Sequence, residues 1–223
     1  MRIAVVGSGI SGLVAVADGH WGHGGAELAL ARLLERHAPR WTSPSPIALA
    51  DRWSLEASDV ALDLNHALVA AGDSASTIGR TTLAVALARP REGWWAALLV
   101  GDSHLFTADG ARASESCRAA PAGVTFIGDA HLDRAAIERG VRCAVERSGP
   151  RAILLATDGL SEEAIGVANP ARAVAESVGA ARSVGADLRP LAAARGVAER
   201  ALAAQRANAA GDNVATACVW LAD

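Results

Sequence analysis

The apolar positions of this chain fall into runs that predict strands and helices in turn. Residues 1–9 read as a strand entering a Gly-Ser turn, and 13–17 (LVAVA) as the next strand, so that the two form a β-hairpin. Residues 26–37 (AELALARLLERH) carry leucines three and four apart and predict an amphipathic helix. Residues 39–54, with Pro39, Pro44 and Pro46, read as a loop or surface crossing. Helical spacing returns through Leu55, Val60, Leu64, Ala67 and Leu68, with Gly72 as the stop. Three strands follow, at 81–88, 94–100 and 104–108, and their tight connections predict an antiparallel meander. Residues 114–122 read as a small, polar, mobile stretch and 124–127 as a short strand. A helix is expected over 132–148, with Ile137, Val141 and Val145 on one face, then a strand over 151–157. The alanine- and arginine-rich stretch 161–208 reads as helical, broken near Asn169-Pro170, Gly185 and Arg189-Pro190, before a last strand at 214–221.

Four of the predicted strand ends carry an acid: Asp18-Gly19, Gly101-Asp102-Ser103, Thr157-Asp158-Gly159 and Gly211-Asp212-Asn213. If the strands lie side by side, these carboxylates converge at one end of a sheet. A carboxylate fixed between a buried strand and a glycine-rich turn suits a hard cation. Taken singly, Asp18, Asp158 and Asp212 each read better as a turn residue that ends a strand, and Asp102 reads equally well either way; it is jointly that they point to metal.

With 223 residues, about half of them apolar, the chain is expected to bury one sizeable core as a single domain over 1–223. A net charge of −3 gives no reason to expect nucleic acid or an anionic membrane as partner. All 21 basic residues are arginine, which we read as coding bias. Cys117, Cys143 and Cys218 are odd in number and lack metal-ligand spacing, so neither a disulfide framework nor a zinc site is expected, and a reducing cytoplasm fits. Residues 1–17 imitate a signal peptide, but Gly7, Ser8, Gly9, Ser11 and Gly12 interrupt the apolar part. No apolar stretch approaches the ~20 residues of a membrane span.

Gly7, Gly9 and Gly12 complete a GxGxxG after a strand, the opening of many flavin and nicotinamide enzymes. That motif needs a helix directly behind it to hold a pyrophosphate. Only residues 13–17 separate it from Asp18-Gly19, so no helix fits, and an FAD- or NAD-binding oxidoreductase is the weaker alternative.

With the acids placed, the chain resembles the metal-dependent PPM-type (type 2C) serine/threonine protein phosphatases from about Leu13 to its C-terminus. The matching motifs are Val16-Ala17-Asp18-Gly19-His20 with the glycine cluster through Glu27, Gly79 to Thr82, Gly101-Asp102-Ser103, Thr157-Asp158-Gly159-Leu160 and Gly211-Asp212-Asn213. The resemblance implies an α+β fold, a four-layer αββα sandwich of two antiparallel β-sheets flanked by helices. It implies two Mn²⁺ or Mg²⁺ ions and a third, weaker one. Asp18 would bridge the pair, the Gly19 carbonyl would bind one ion, Asp158 and Asp212 would complete the other, and Asp102 and Glu162 would serve the third. His20 falls at a general-acid position, while Trp21 and His23 read as turn packing. The implied activity is hydrolysis of phosphoserine and phosphothreonine in proteins by direct attack of a metal-activated water, opposite a serine/threonine kinase system.

The chain departs from that pattern at four places. No acid precedes Asp18, where members carry one on the strand before it, and the upstream phosphate-binding arginine has no counterpart beyond Arg2. His104 stands where arginine is usual, and Trp21 where glycine is common. Two readings follow: a phosphatase domain shortened at its N-terminus, or a weak or dead pseudophosphatase that keeps the fold as a binding module.

Overall fold

The computed structural model describes residues 2–7, 11–43, 49–72, 78–117, 125–147 and 149–221. The first hairpin forms as expected: β1 (Arg2–Gly7) and β2 (Gly12–Ala17) pair antiparallel, with Gly7 opposite Gly12. The expected Gly-Ser turn at 8–10 lies outside the described residues, but a strand follows Gly12 directly, which removes the helix that a dinucleotide site requires. After the short β3 (Gly19–His20), the chain enters α1 (Gly24–Arg32), passes through one π-helical turn at Leu33–His37, and continues into α2 (Ala38–Thr42). The expected loop at 39–54 is thus helical at its start, α2 with its Pro39 following directly on the π-helical turn at Leu33–His37. It ends in a 3₁₀ turn, Ala50–Arg52, and residues 44–48 lie outside the described ones. The next helix, α3 (Trp53–Gly72), stops at the expected glycine.

Strands β4 (Arg80–Thr81), β5 (Leu83–Arg89), β6 (Trp94–Val100), β7 (His104–Ala108) and β8 (Ala113–Ser116) come next. The predicted meander is only half right. β5 pairs with β6, but β7 belongs to the other sheet, beside β10. Gly101, at φ 99°, turns the chain out of one sheet and into the other, so 101–103 is a crossing and not a hairpin turn. The stretch expected to be mobile from 114 carries β8, an edge strand paired with β7; residues 118–124 are outside the described ones. Of the strand expected at 124–127, the described part makes a single bridge, Thr81 to Ile127.

The helix expected over 132–148 is also corrected. α4 covers only Arg134–Gly140, capped by the Asp133 carboxylate, and Val141 turns extended (ψ 127°) to begin β9 (Arg142–Glu146) against β6. Gly140 is the stop signal, and pairing with β6 outweighs the three-and-four spacing of Ile137, Val141 and Val145. After it come β10 (Ala152–Ala156), α5 (Pro170–Ala181) with Asn169 as its N-cap, α6 (Arg189–Ala207) and β11 (Thr216–Trp220). The breaks at Asn169-Pro170, Gly185 and Arg189-Pro190 fall where expected, but 161–169 is a turn-rich loop and not a helix.

Two sheets stack, one in the order β1-β2-β5-β6-β9 and one in the order β11-β10-β7-β8. Alternate residues of β5 show the layering. Leu83, Val85 and Leu87 pack with Ala29, Leu33, Trp53 and Leu64 of the helices on one face. Ala84, Ala86 and Ala88 pack with Leu105, Ile153, Leu155 and Val219 of the second sheet on the other. The outer face of that sheet, through Phe106 and Leu154, meets Val174 and Val178 of α5 and Val197 of α6. The central strands read as unbroken apolar runs because both of their faces are covered. The fold is the four-layer αββα sandwich.

Candidate metal centre

Asp18 leaves the end of β2 in one sheet, while Asp158 follows β10 and Asp212 precedes β11 in the other. The three meet at the seam between the sheets. One carboxylate oxygen of each lies within 4.8 Å of the other two.

Asp18 is held by its backbone as firmly as by its side chain. Its N–H donates to Thr82 Oγ1 (3.0 Å), and its carbonyl accepts from the Thr82 N–H (2.9 Å) and the Thr81 hydroxyl (2.8 Å). Thr82 Oγ1 also bonds Ser103 Oγ (2.9 Å), which ties the 101–103 crossing to the same post; all three hydroxyl residues are buried. The motifs Gly79 to Thr82 and Gly101 to Ser103 thus act on Asp18 from behind. The Asn213 side chain, with its NH₂ turned toward Asp18, donates to both carboxylate oxygens, at 2.8 and 3.2 Å.

Asp158 sits where the chain closes into a 3₁₀ turn at Asp158–Leu160, its Oδ1 accepting from the Gly159 N–H (3.0 Å). A side chain at Gly159 would put its Cβ 2.4 Å from the Asn213 carbonyl oxygen and 3.0 Å from Asp212 Oδ2, so the loops carrying Asp158 and Asp212 approach this closely only over glycine. From α6, the Gln205 amide donates to the Gly159 carbonyl (3.0 Å), and Thr157 Oγ1 accepts from the Ala215 N–H (3.0 Å).

The electrostatics are those of closely packed anions. Burial lifts the Asp158 carboxyl to about 6, with the charges of Asp102, Asp18, Asp212 and Glu162 adding to it. Burial also raises Asp18, with Asp212 adding to it, and raises Glu162, which shares a hydrogen bond with Asp212. Asp102 lies outside the trio, and its Oδ1 is buried with no hydrogen-bond partner among the described residues. A donor set made of carboxylate oxygens, mutually repelling and partly unpartnered, fits hard divalent cations such as Mg²⁺ or Mn²⁺.

The remaining predicted residues sit around this centre. Gly19 and His20 pair with Thr81 and Arg80 across the β3–β4 ribbon. The His20 ring stands edge-on to Phe126, 4.3 Å between centroids, and its charge acts on Asp18. His23 occupies the N-cap position of α1 without a side-chain cap bond. Trp21 is not turn packing: it is 81% exposed at φ 62°, with the Arg80 guanidinium over its ring at 5.6 Å and Arg80 in turn paired with Asp129 (3.1 Å). Thr82, Ser103 and Asn213 carry no separate signal in the sequence, although each lies inside one of the matching motifs.

No family model matches the chain, and no curated protein matches it. Solved structures do. A sex determining protein of C. elegans is 18% identical, with a TM-score of 0.71 over 99% of this chain and 60% of its own, so the chain spans less than two thirds of that one's length. The catalytic domain of the serine threonine protein phosphatase PstP, solved with 2 manganese ions, is 16% identical with a TM-score of 0.66, covering 99% of this chain and 91% of its own. The serine/threonine phosphatase Stp1 from Staphylococcus aureus is 16% identical with a TM-score of 0.63, over 99% and 89%. At such identities the likeness speaks for the architecture: this chain has the fold of the PPM-type serine/threonine phosphatases.

Proposed function

We propose that this chain is a metal-dependent phosphatase that hydrolyses phosphoserine and phosphothreonine in proteins, with residues 1–223 as one phosphatase domain. The observation that carries the reading is the meeting of Asp18, Asp158 and Asp212, from two sheets, within 4.8 Å. Asp18, Asp158 and Asp212 would hold two Mn²⁺ or Mg²⁺ ions together with the Gly19 carbonyl, and Asp102 and Glu162 would serve a third. Bound there, the ions supply the Lewis acidity that lowers the pKa of an attacking water and screens the phosphoryl oxygens.

The chain's own residues do the rest. Asn213 holds the Asp18 carboxylate and Thr82 holds the Asp18 backbone behind it, so the donor set is ordered before a cation arrives. His20, close enough for its charge to act on Asp18, would protonate the departing serine or threonine oxygen, a step worth about 10² to 10⁴ in rate. A phosphorylated protein presented by an opposing serine/threonine kinase is the substrate class we propose. The three cysteines are free thiols, which agrees with the cytoplasm as the compartment. No helix among the described residues is long and apolar enough to cross a membrane.

The test is a Mn²⁺ titration of p-nitrophenyl phosphate and phosphothreonine-peptide hydrolysis, run beside calorimetry. Saturable Mn²⁺ binding with Mn²⁺-dependent turnover, both lost in Asp18→Ala and Asp212→Ala, is expected. Variants that match the parent rate end the metal assignment. Mn²⁺ binding without turnover leaves a binding module on this fold.

A further inference from the structure

Beside the aspartate centre, where the Ser161 N–H donates to the Asp158 carbonyl (2.7 Å), three residues form a hydrogen-bonded chain of another kind. Ser161 Oγ lies 2.6 Å from His104 Nε2, and His104 Nδ1 lies 2.7 Å from Glu115 Oε1. The tautomer that satisfies both bonds carries its proton on Nδ1, donated to Glu115, and leaves Nε2 to accept from the serine hydroxyl. The three come from β7, β8 and the loop after β10, so the sheet pairing of β8–β7–β10 brings them together. All three line one open cleft of about 590 Å³.

We propose that Ser161, His104 and Glu115 form a second hydrolytic site, acting on an uncharged carboxylic ester with a short apolar acyl group. Nucleophile, base and orienting carboxylate stand in the order and at the distances that covalent acyl transfer needs. The same cleft offers the other two requirements. The turn at 163–164 lines it, with Ala164 in the left-handed region at φ 62°, and among the described residues neither the Glu163 nor the Ala164 N–H donates a backbone hydrogen bond. Successive free amides of this kind receive a developing oxyanion. Phe106, Val167 and Ala171 supply an apolar wall, and the Glu163 carboxylate repels anionic substrates such as phosphate esters.

The chemistry closes without a co-reactant other than water. Ser161 Oγ forms a bond to the ester carbonyl carbon as its proton passes to His104 Nε2. The C–O bond to the alcohol breaks, and the same proton leaves with the alkoxide as alcohol. Water then adds to the acyl-serine, giving its proton to Nε2; the carboxylic acid departs and Ser161 recovers the proton.

The whole chain is treated with a fluorophosphonate probe and assayed with p-nitrophenyl butyrate, with peptide mass spectrometry to locate the adduct. The expected result is labelling at Ser161, loss of label and of ester hydrolysis in Ser161→Ala, and a fall of about tenfold or more in ester kcat in Glu115→Gln with circular dichroism unchanged. An unlabelled Ser161 in folded protein overturns the proposal, because a mere brace between β7, β8 and the loop leaves the hydroxyl inert. So does labelling that is undiminished in His104→Gln. Ester and phosphate hydrolysis are read separately, so the outcome is independent of the phosphatase reading.

Discussion

Asn213 reaches across the seam of the sandwich to donate its amide to both carboxylate oxygens of Asp18, at 2.8 and 3.2 Å. The residue next to one acid, Asp212, therefore positions another, Asp18, from the opposite sheet. Asn213→Ala should weaken Mn²⁺ binding by about 10 to 100-fold, as loss of an orienting partner does elsewhere, while leaving the fold intact. Calorimetry reads the affinity; an unchanged Kd would mean that Asp18 is aimed without help.

Asp158 is the acid pushed highest, to about 6, by burial and by four like-charged neighbours. In metal-free protein, replacing that charge relieves repulsion, so Asp158→Asn should be more stable than the parent by about 1 kcal/mol near neutral pH. Mn²⁺ at about a hundred times its Kd should raise the parent's stability by about 2.7 kcal/mol, or roughly 5–10 °C in Tm, and leave the variant unmoved. Thermal melts with Mn²⁺ and with EDTA measure both.

Thr82 is fully buried and accepts the Asp18 N–H while bonding Ser103. Thr82→Val keeps the shape and strands both partners, at a cost of about 1–3 kcal/mol. Urea unfolding measures the loss, and Mn²⁺ affinity should fall with it, because the post behind Asp18 is gone.

His20 serves a leaving group that needs a proton. His20→Gln should lower kcat on a phosphoserine peptide about 10²-fold and on p-nitrophenyl phosphate less than about tenfold, since nitrophenolate departs unprotonated. Equal losses on both substrates would remove the general-acid role.

Asp63 accepts from Arg32 Nε at 2.7 Å and Nη2 at 2.6 Å, from Arg36 and from the buried His37. The Arg32 bonds hold its carboxyl well below the usual range. A carboxyl depressed by folding stabilises above its unfolded pKa near 4 and loses that contribution as the pH falls through the folded value. His37, held low mainly by burial, works in the same direction below about pH 6.5. Asp63→Asn should cost about 1–2 kcal/mol at pH 7 and flatten the acid limb of the stability curve below pH 4. Denaturation midpoints at pH 3, 5 and 7 check it.

What could be read from the residues alone was what repeats locally. Continuous apolar runs marked the central strands, and the Asp at each run's end marked the site, because burial on both faces and a turn at one end leave a plain trace. Partners distant in sequence left none. Residues 142–146 look helical in isolation and become a strand because β6 offers an unfilled edge. The crossing at Gly101 looks like any hairpin until the second sheet is present. Glu115 lay in a stretch read as mobile, so its pairing with His104 had no signal in the sequence at all.

Because one member of the aspartate trio rides on the first sheet and two on the second, the cluster is a gauge of how the sheets are aligned. A slip of one residue, about 3.3 Å, between two layers whose carboxylates gather within 4.8 Å would scatter the donors without breaking a single strand pairing. Cation affinity therefore reports on the interlayer packing of small residues such as Ala84, Ala86 and Ala217, none of which supplies an oxygen ligand. Bulk added there would register first as a lost ion, before it registered as a lost fold.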